Sequence, residues 1–177
     1  MKSSSQRRQL ARLSLVAGCL AAAGAMAADS VPAIMQVPAG NYVAWRASAE
    51  GTVTYVCHQS SDIPPQLAWT IESAKATLNG DNQQGRYTSP PETWRAADGS
   101  WLTGMSVVRV DDGAGRLADQ LVMANPSGAA GMLSGVTYIQ RLVQSGGGAP
   151  DGVCDSATLG KQVTVPYQAL YVFWKPN

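Results

Sequence analysis

Twelve residues near the middle of the chain, Thr93-Trp94-Arg95-Ala96-Ala97-Asp98-Gly99-Ser100-Trp101-Leu102-Thr103-Gly104, constrain its folding most, because they read as a tight β-hairpin. Asp98-Gly99 suits a two-residue type I′ turn, whose central residues both need φ > 0, a conformation that Gly adopts freely and Asp tolerates better than most. Such a turn sets Ala97 opposite Ser100, Ala96 opposite Trp101, Arg95 opposite Leu102 and Trp94 opposite Thr103. Side chains alternate along a strand, so Trp94, Ala96, Trp101 and Thr103 are expected on one face. Whether that face meets core or water decides between a structural corner and a binding platform.

The rest of the chain follows the same period. From residue 30 onward there is hardly any sustained 3.6-residue pattern, and short β-branched or aromatic runs alternate with Gly, Pro, Asn and Asp. Asn41 to Ala47 and Thr52 to Cys57 flank Ser48-Ala49-Glu50-Gly51, a second expected hairpin. Gln66 to Glu72 reads as a strand, Asn79-Gly80 as a turn, and Asp81 to Pro91 as an exposed polar loop. Met105 to Val110 extends the Trp hairpin; Gln120 to Ala124 and Val136 to Val143 follow as strands. Val163 to Trp174 puts Val163, Val165, Tyr167, Ala169, Tyr171 and Phe173 on one apolar face, with Pro166 expected at an edge or bulge because it donates nothing to a ladder. The expected fold is all-β, a β-sandwich or a closed barrel-like pair of antiparallel sheets with about eight to ten strands.

The amino terminus carries Lys2, Arg7, Arg8 and Arg12, then an apolar run from Leu13 to Ala23 and the small residues Ala25-Met26-Ala27. This is the form of a secretory signal peptide, with cleavage near Ala27 or Ala28. Val16-Ala17-Gly18-Cys19 offers the competing lipoprotein reading, but only six residues separate Arg12 from Cys19, and the apolar stretch continues beyond it. The expected organisation is a signal peptide over 1–28 and a single exported β-domain over 29–177, periplasmic or secreted. No later stretch approaches the ~20 apolar residues of a transmembrane helix. Without the four amino-terminal cations, nine basic residues face twelve acidic ones, a net charge of −3 with no basic run. That argues against nucleic acid and anionic membrane surfaces. Cys57 and Cys154 remain as the two cysteines of the exported domain and are expected to pair in an oxidising compartment.

Several segments together resemble one family. They are Val37-Pro38-Ala39-Gly40-Asn41, Tyr55-Val56-Cys57, Thr93 to Ser100, Gly135 to Leu142, Gly147-Gly148-Ala149-Pro150 with Cys154, and Val165-Pro166-Tyr167 with Tyr171-Val172-Phe173. In this order they resemble the secreted proteins grouped as domain of unknown function 3455. The resemblance implies an exported domain with no established activity. The chain departs from that pattern before Thr93, where Gln84 to Glu92 lacks the histidine and Gly-Pro of the family.

Chemistry-bearing motifs are sparse. His58 is the one histidine, and no Gly-x-Ser-x-Gly elbow accompanies it. Glu92 and Asp98 flank the Trp hairpin and form the best carboxylate pair for a hydrolase-like enzyme, which would use Glu92 or Asp98 with Arg141. The simpler reading is the stronger one: turn formation explains Asp98 and loop solubility explains Glu92. No zinc or calcium pattern is present, Gly146-Gly147-Gly148 lacks the context of a phosphate loop, and no cofactor is expected. Five Trp and six Tyr against one Phe favour amphipathic rings, which either pack with a polar atom satisfied or line a recognition surface. Trp94, Arg95, Trp101, Tyr138 and Arg141 are therefore the candidate binding residues, for a small molecule, glycan or envelope component. The alternatives are the hydrolase and a structural envelope or matrix protein without ligand.

Overall fold

Alternation carries most of the chain into strands. The computed structural model describes residues 31–111, 113, 115–125 and 130–177; the expected signal peptide, its cleavage point and Cys19 lie outside them. The strands are β1 (Asn41–Gln59), β2 (Leu67–Gly80), β3 (Gln83–Ser89), β4 (Thr93–Ala96), β5 (Trp101–Val110), β6 (Asp119–Asn125), β7 (Tyr138–Gly146) and β8 (Gln162–Pro176). Each pairs antiparallel with the next, and β8 returns to β1, so the sheet closes as an up-and-down barrel. Of the two all-β architectures expected, the chain forms the closed one.

Rings fill the barrel. Trp45 stacks on Phe173 at 4.7 Å between centroids, Phe173 lies 6.4 Å from Tyr171, Tyr171 5.6 Å from Tyr87, and Tyr87 5.2 Å from Trp94. This chain of aromatics spans from β1 and β8 across to β3 and β4. Small inward residues, Ala47, Ala49, Ala76, Ala96 and Ala169, make room for it, as the narrow interior of an eight-stranded barrel requires. Outside the barrel, Leu121, Gln140 and Val172 are buried as well. Here a 3-10 turn at Ala33–Met35 lies against the wall, and the Gln140 amide donates to the Met35 carbonyl at 2.6 Å.

Cys57 and Cys154 form the expected disulfide, with Cα atoms 5.3 Å apart across 97 residues of sequence. It ties the segment after β7 to the end of β1, where the Trp69 indole donates to the Gly152 carbonyl. Pro166 sits where the β7–β8 ladder, last paired at Gly146 and Tyr167, has just ended, in keeping with its missing donor.

Four expectations are corrected. Ser48 to Gly51 is not a turn, because β1 runs straight through it. Gly51 continues the inward series of Ala47, Ala49 and Val53, and a Cβ there would stand 2.7 Å from both the Tyr167 ring and the Ala76 methyl. The glycine allows close approach rather than a bend. The turn expected at Asn79-Gly80 falls two residues later, at Asp81 and Asn82, since Gly80 is still paired with Gln83; a Cβ on Gly80 would strike the Trp45 indole. The loop expected over 81–91 contains β3, which turns Gly85 and Tyr87 inward and Gln84, Arg86 and Thr88 outward.

The Trp hairpin also departs from its expected register. Trp94 faces Leu102 and Arg95 faces Trp101, one residue away from the expected register. The connection is a three-residue loop, Ala97-Asp98-Gly99, with only Gly99 at positive φ (89°), the usual arrangement for that loop length. Asp98 keeps negative φ and uses its side chain instead. Its Oδ1 accepts from the Ser100 amide (2.9 Å) and hydroxyl (2.6 Å), and its Oδ2 accepts from the Met132 amide at 2.6 Å. The Ser100 hydroxyl oxygen in turn accepts from the Leu133 amide at 3.1 Å. A slip of one residue sends a side chain to the opposite face. Trp94 is therefore 1% exposed inside the barrel, while Trp101 is 36% exposed outside it.

Candidate functional site

The hairpin thus divides the five candidate residues between the two sides of the wall. Trp94 and Arg141 point inward. Arg141 is 5% exposed, and its Nη2 donates to the Ala118 carbonyl at 3.0 Å. Burial opposes its charge, but the surrounding Tyr171, Tyr87 and Tyr167 phenols outweigh that effect and hold its pKa above the ordinary value. Burial raises the pKa of the tyrosines in turn, Tyr87 to about 12 and Tyr171 well above its usual range. Around them the Gln120 amide donates to Glu92 Oε1 at 2.6 Å, the Tyr167 and Tyr171 hydroxyls meet at 3.3 Å, and the Tyr55 hydroxyl donates to the Gly147 carbonyl at 2.7 Å. Among the described residues, Arg141 Nε, Glu92 Oε2 and Trp94 Nε1 have no hydrogen-bond partner. Buried polar atoms of this kind are commonly met by ordered water.

Arg95 and Trp101 point outward and meet each other, with the Arg95 guanidinium carbon 5.3 Å from the Trp101 ring centroid, within cation–π range. Register extends this pair into a row across five strands. Glu50 faces Thr77, Thr77 faces Arg86, Arg86 faces Arg95 and Arg95 faces Trp101. Arg86 and Arg95 line a surface groove of about 490 Å³ together with Thr77 and Gln84. A second groove of about 400 Å³ adjoins it, sharing Thr77 and Arg86 and adding Lys75, Thr88 and Glu50. Tyr138 also faces outward, but on β7 between Met123 and Trp174, two strands further round than Trp101. Sequence reasoning missed Lys75, Thr77 and Arg86: the first two lie where β2 runs on past the expected strand end at Glu72, and Arg86 lies in the segment read as loop, so only the ladder joins them to Arg95.

The carboxylates singled out for hydrolysis do not converge. Glu92 precedes β4 and Asp98 follows it, so their backbones stand on the order of 15 Å apart at about 3.3 Å per residue along a strand. Hydrogen bonds from Ser100 and from the Met132 amide hold the Asp98 pKa below its usual value, the opposite of a general acid. His58 is exposed on β1 opposite Ala68. Gly147 donates its amide to the Pro166 carbonyl, and Cβ atoms on Gly147 and Gly148 would collide with Leu117 and Gly115, so this glycine run serves close chain packing. Among the described residues no group of three or more His, Cys, Asp or Glu side chains is placed to hold a metal ion, and no helix is long and apolar enough to cross a membrane. The disulfide is compatible with an extracellular or periplasmic location.

These features define a class: a disulfide-closed, eight-stranded antiparallel barrel with an aromatic interior and a cationic outer groove. Residues 79–175, more than half of the chain, match the family described as protein of unknown function DUF3455. The chain belongs to that family. The match runs from the end of β2 to β8; the upstream resemblances at Val37 to Asn41 and Tyr55 to Cys57 precede it. Comparisons with curated proteins and with solved structures returned no match.

Proposed function

We propose that this barrel is an exported, non-enzymatic binding module whose ligand lies on the outer face of β2–β5, against Arg95 and Trp101. The observation that carries the reading is the row that sets Arg86 directly opposite Arg95 beside a groove of about 490 Å³. Like charges opposed across a ladder destabilise a sheet, so their placement beside an open groove favours a role outside folding. The interior offers less, because linked rings occupy it from Trp45 to Trp94. Trp94 and Arg141 then act from within, as the rigid backing of the strands that present Arg86 and Arg95. The separation of Glu92 from Asp98 supports binding over carboxylate hydrolysis.

The test is a thermal-shift screen of the chain without residues 1–28 against glycans, phenolics and small organic acids. A ligand bound only by the folded state raises the melting temperature. The expected result is a shift that Arg95→Ala and Trp101→Ala abolish while retaining their own cooperative melts. A shift that survives both substitutions overturns this placement of the site, and no shift in any class favours the ligand-free structural alternative.

A further inference from the structure

Resting on the binding face proposed above, we infer that its ligand is a linear polysaccharide bearing carboxylates, a uronate-type chain lying across β2–β4. Three cations from three consecutive strands line the joined grooves: Lys75 on β2, Arg86 on β3 and Arg95 on β4, all exposed. Arg86 and Arg95 are direct ladder partners, about 5 Å apart at the backbone. Lys75 lies two residues from Thr77, the partner of Arg86, and so stands on the diagonal at roughly 7–8 Å. The result is a file of positive charges running across the strands, suited to an extended chain with acid groups at intervals.

The neutral lining narrows the class. Thr77, Thr88, Thr52 and Gln84 line the same two grooves with hydroxyl and amide groups beside the cations, the donors and acceptors that sugar hydroxyls need. Guanidinium groups meet carboxylates in bidentate fashion, which suits Arg86 and Arg95 to uronate acid groups. Glu50 closes the far end of the row. Its carboxylate accepts hydrogen bonds from hydroxyls and repels a further acid group, so the charged part of the ligand belongs between Lys75 and Arg95. A nucleic acid, with a phosphate at every step, meets too few cations here and a carboxylate at the exit.

The experiment measures binding of oligogalacturonate, a neutral cello-oligosaccharide and single-stranded DNA by calorimetry to the chain without residues 1–28, at low and high salt. Oligogalacturonate is expected to bind with salt-sensitive affinity. Arg86→Ala and Arg95→Ala are each expected to weaken it about tenfold or more, consistent with loss of a charge-assisted hydrogen bond. Arg109→Ala, on β5 beside Ser106, is expected to leave binding unchanged, and the melting temperature of each variant checks its folding. Equal binding of the neutral oligosaccharide, lost with Trp101→Ala, overturns the acidic ligand and keeps the binding face. Tighter binding of DNA overturns the polysaccharide. Absence of binding by all three probes overturns the inference, while the screen with Arg95→Ala and Trp101→Ala decides the face by itself.

Discussion

Replacing each tryptophan of the hairpin in turn separates the observed register from the one the turn sequence suggests. Trp94 is 1% exposed, with its ring 5.2 Å from that of Tyr87. Truncating a buried Trp costs about 3–5 kcal/mol, because the cavity cannot close fully. At about 2–4 °C per kcal/mol for a domain near 150 residues, Trp94→Ala should lower the melting temperature by roughly 6–20 °C. Trp101 is 36% exposed and is touched from outside by Arg95. An exposed cation–π contact is worth about 0.5–1 kcal/mol; with partial burial, Trp101→Ala should cost about 1–1.5 kcal/mol, or roughly 2–6 °C. Thermal melts of the oxidised proteins, followed by circular dichroism, read both numbers. Similar losses for the two variants, or a larger one for Trp101→Ala, would mean that the rings share a face and that the three-residue loop is wrong.

Three further outcomes follow from the same geometry. Replacing Cys57 and Cys154 together by alanine removes a closure of 97 residues and should cost on the order of 4–5 kcal/mol, read from the denaturant midpoint; a loss below about 1 kcal/mol would contradict that estimate of the bridge's contribution. Tyr55, Tyr87, Tyr167 and Tyr171 have folded pKa values raised by burial above 10.0, Tyr87 to about 12. Their contribution is intact below the unfolded value and is lost as pH rises through the folded values, so their tyrosinate absorbance should appear together with alkaline unfolding and not in the native protein near pH 10. Asp98 has its folded pKa lowered from 3.8, so its contribution is present above that value and fades as pH falls through the folded one. Asp98→Asn should be less stable than the parent near neutrality, and urea titrations should show the gap narrowing under acid; a gap independent of pH would rule out the carboxylate as its source.

Much of the barrel was legible because period-two alternation is a local property. The face of β8 carrying Tyr167, Ala169, Tyr171 and Phe173 could be read directly, as could β6, β7 and the pairing of Cys57 with Cys154. β3 was hidden because its inward positions hold only one large side chain, Tyr87. Gly85 is inward too, where a Cβ would stand 3.1 Å from the Trp45 ring, and glycine carries no hydrophobic signal. The hairpin register was hidden for another reason. Asp98-Gly99 satisfies two turn geometries, and what favours the longer loop includes the bond from Asp98 to Met132, 34 residues away. The cationic groove was the least legible feature. Lys75, Arg86 and Arg95 are scattered singly along the sequence, and their proximity is a property of the registers alone.

That proximity also yields a stability test independent of any ligand. Arg86 and Arg95 project from facing positions on the outer wall, while Tyr87 and Trp94, their neighbours in sequence and themselves ladder partners, are locked together inside. The inner rings hold the strands in register, so the two guanidinium groups cannot part by a shift of the backbone. Arg95 has the Trp101 ring beside it; among the described residues no ring is placed in this way over Arg86. Opposed like charges cost about 0.2–1 kcal/mol in a sheet, and salt of about 1 M, with a Debye length near 3 Å, screens most of that. Arg86→Thr should therefore leave the domain equally or slightly more stable at low ionic strength, with the gain vanishing at high salt, as read from paired denaturant titrations. A loss of more than about 1 kcal/mol would assign Arg86 to the architecture of the wall and remove the argument that its place opposite Arg95 answers to a ligand. A salt-dependent gain would mean that folding tolerates this pair rather than requiring it.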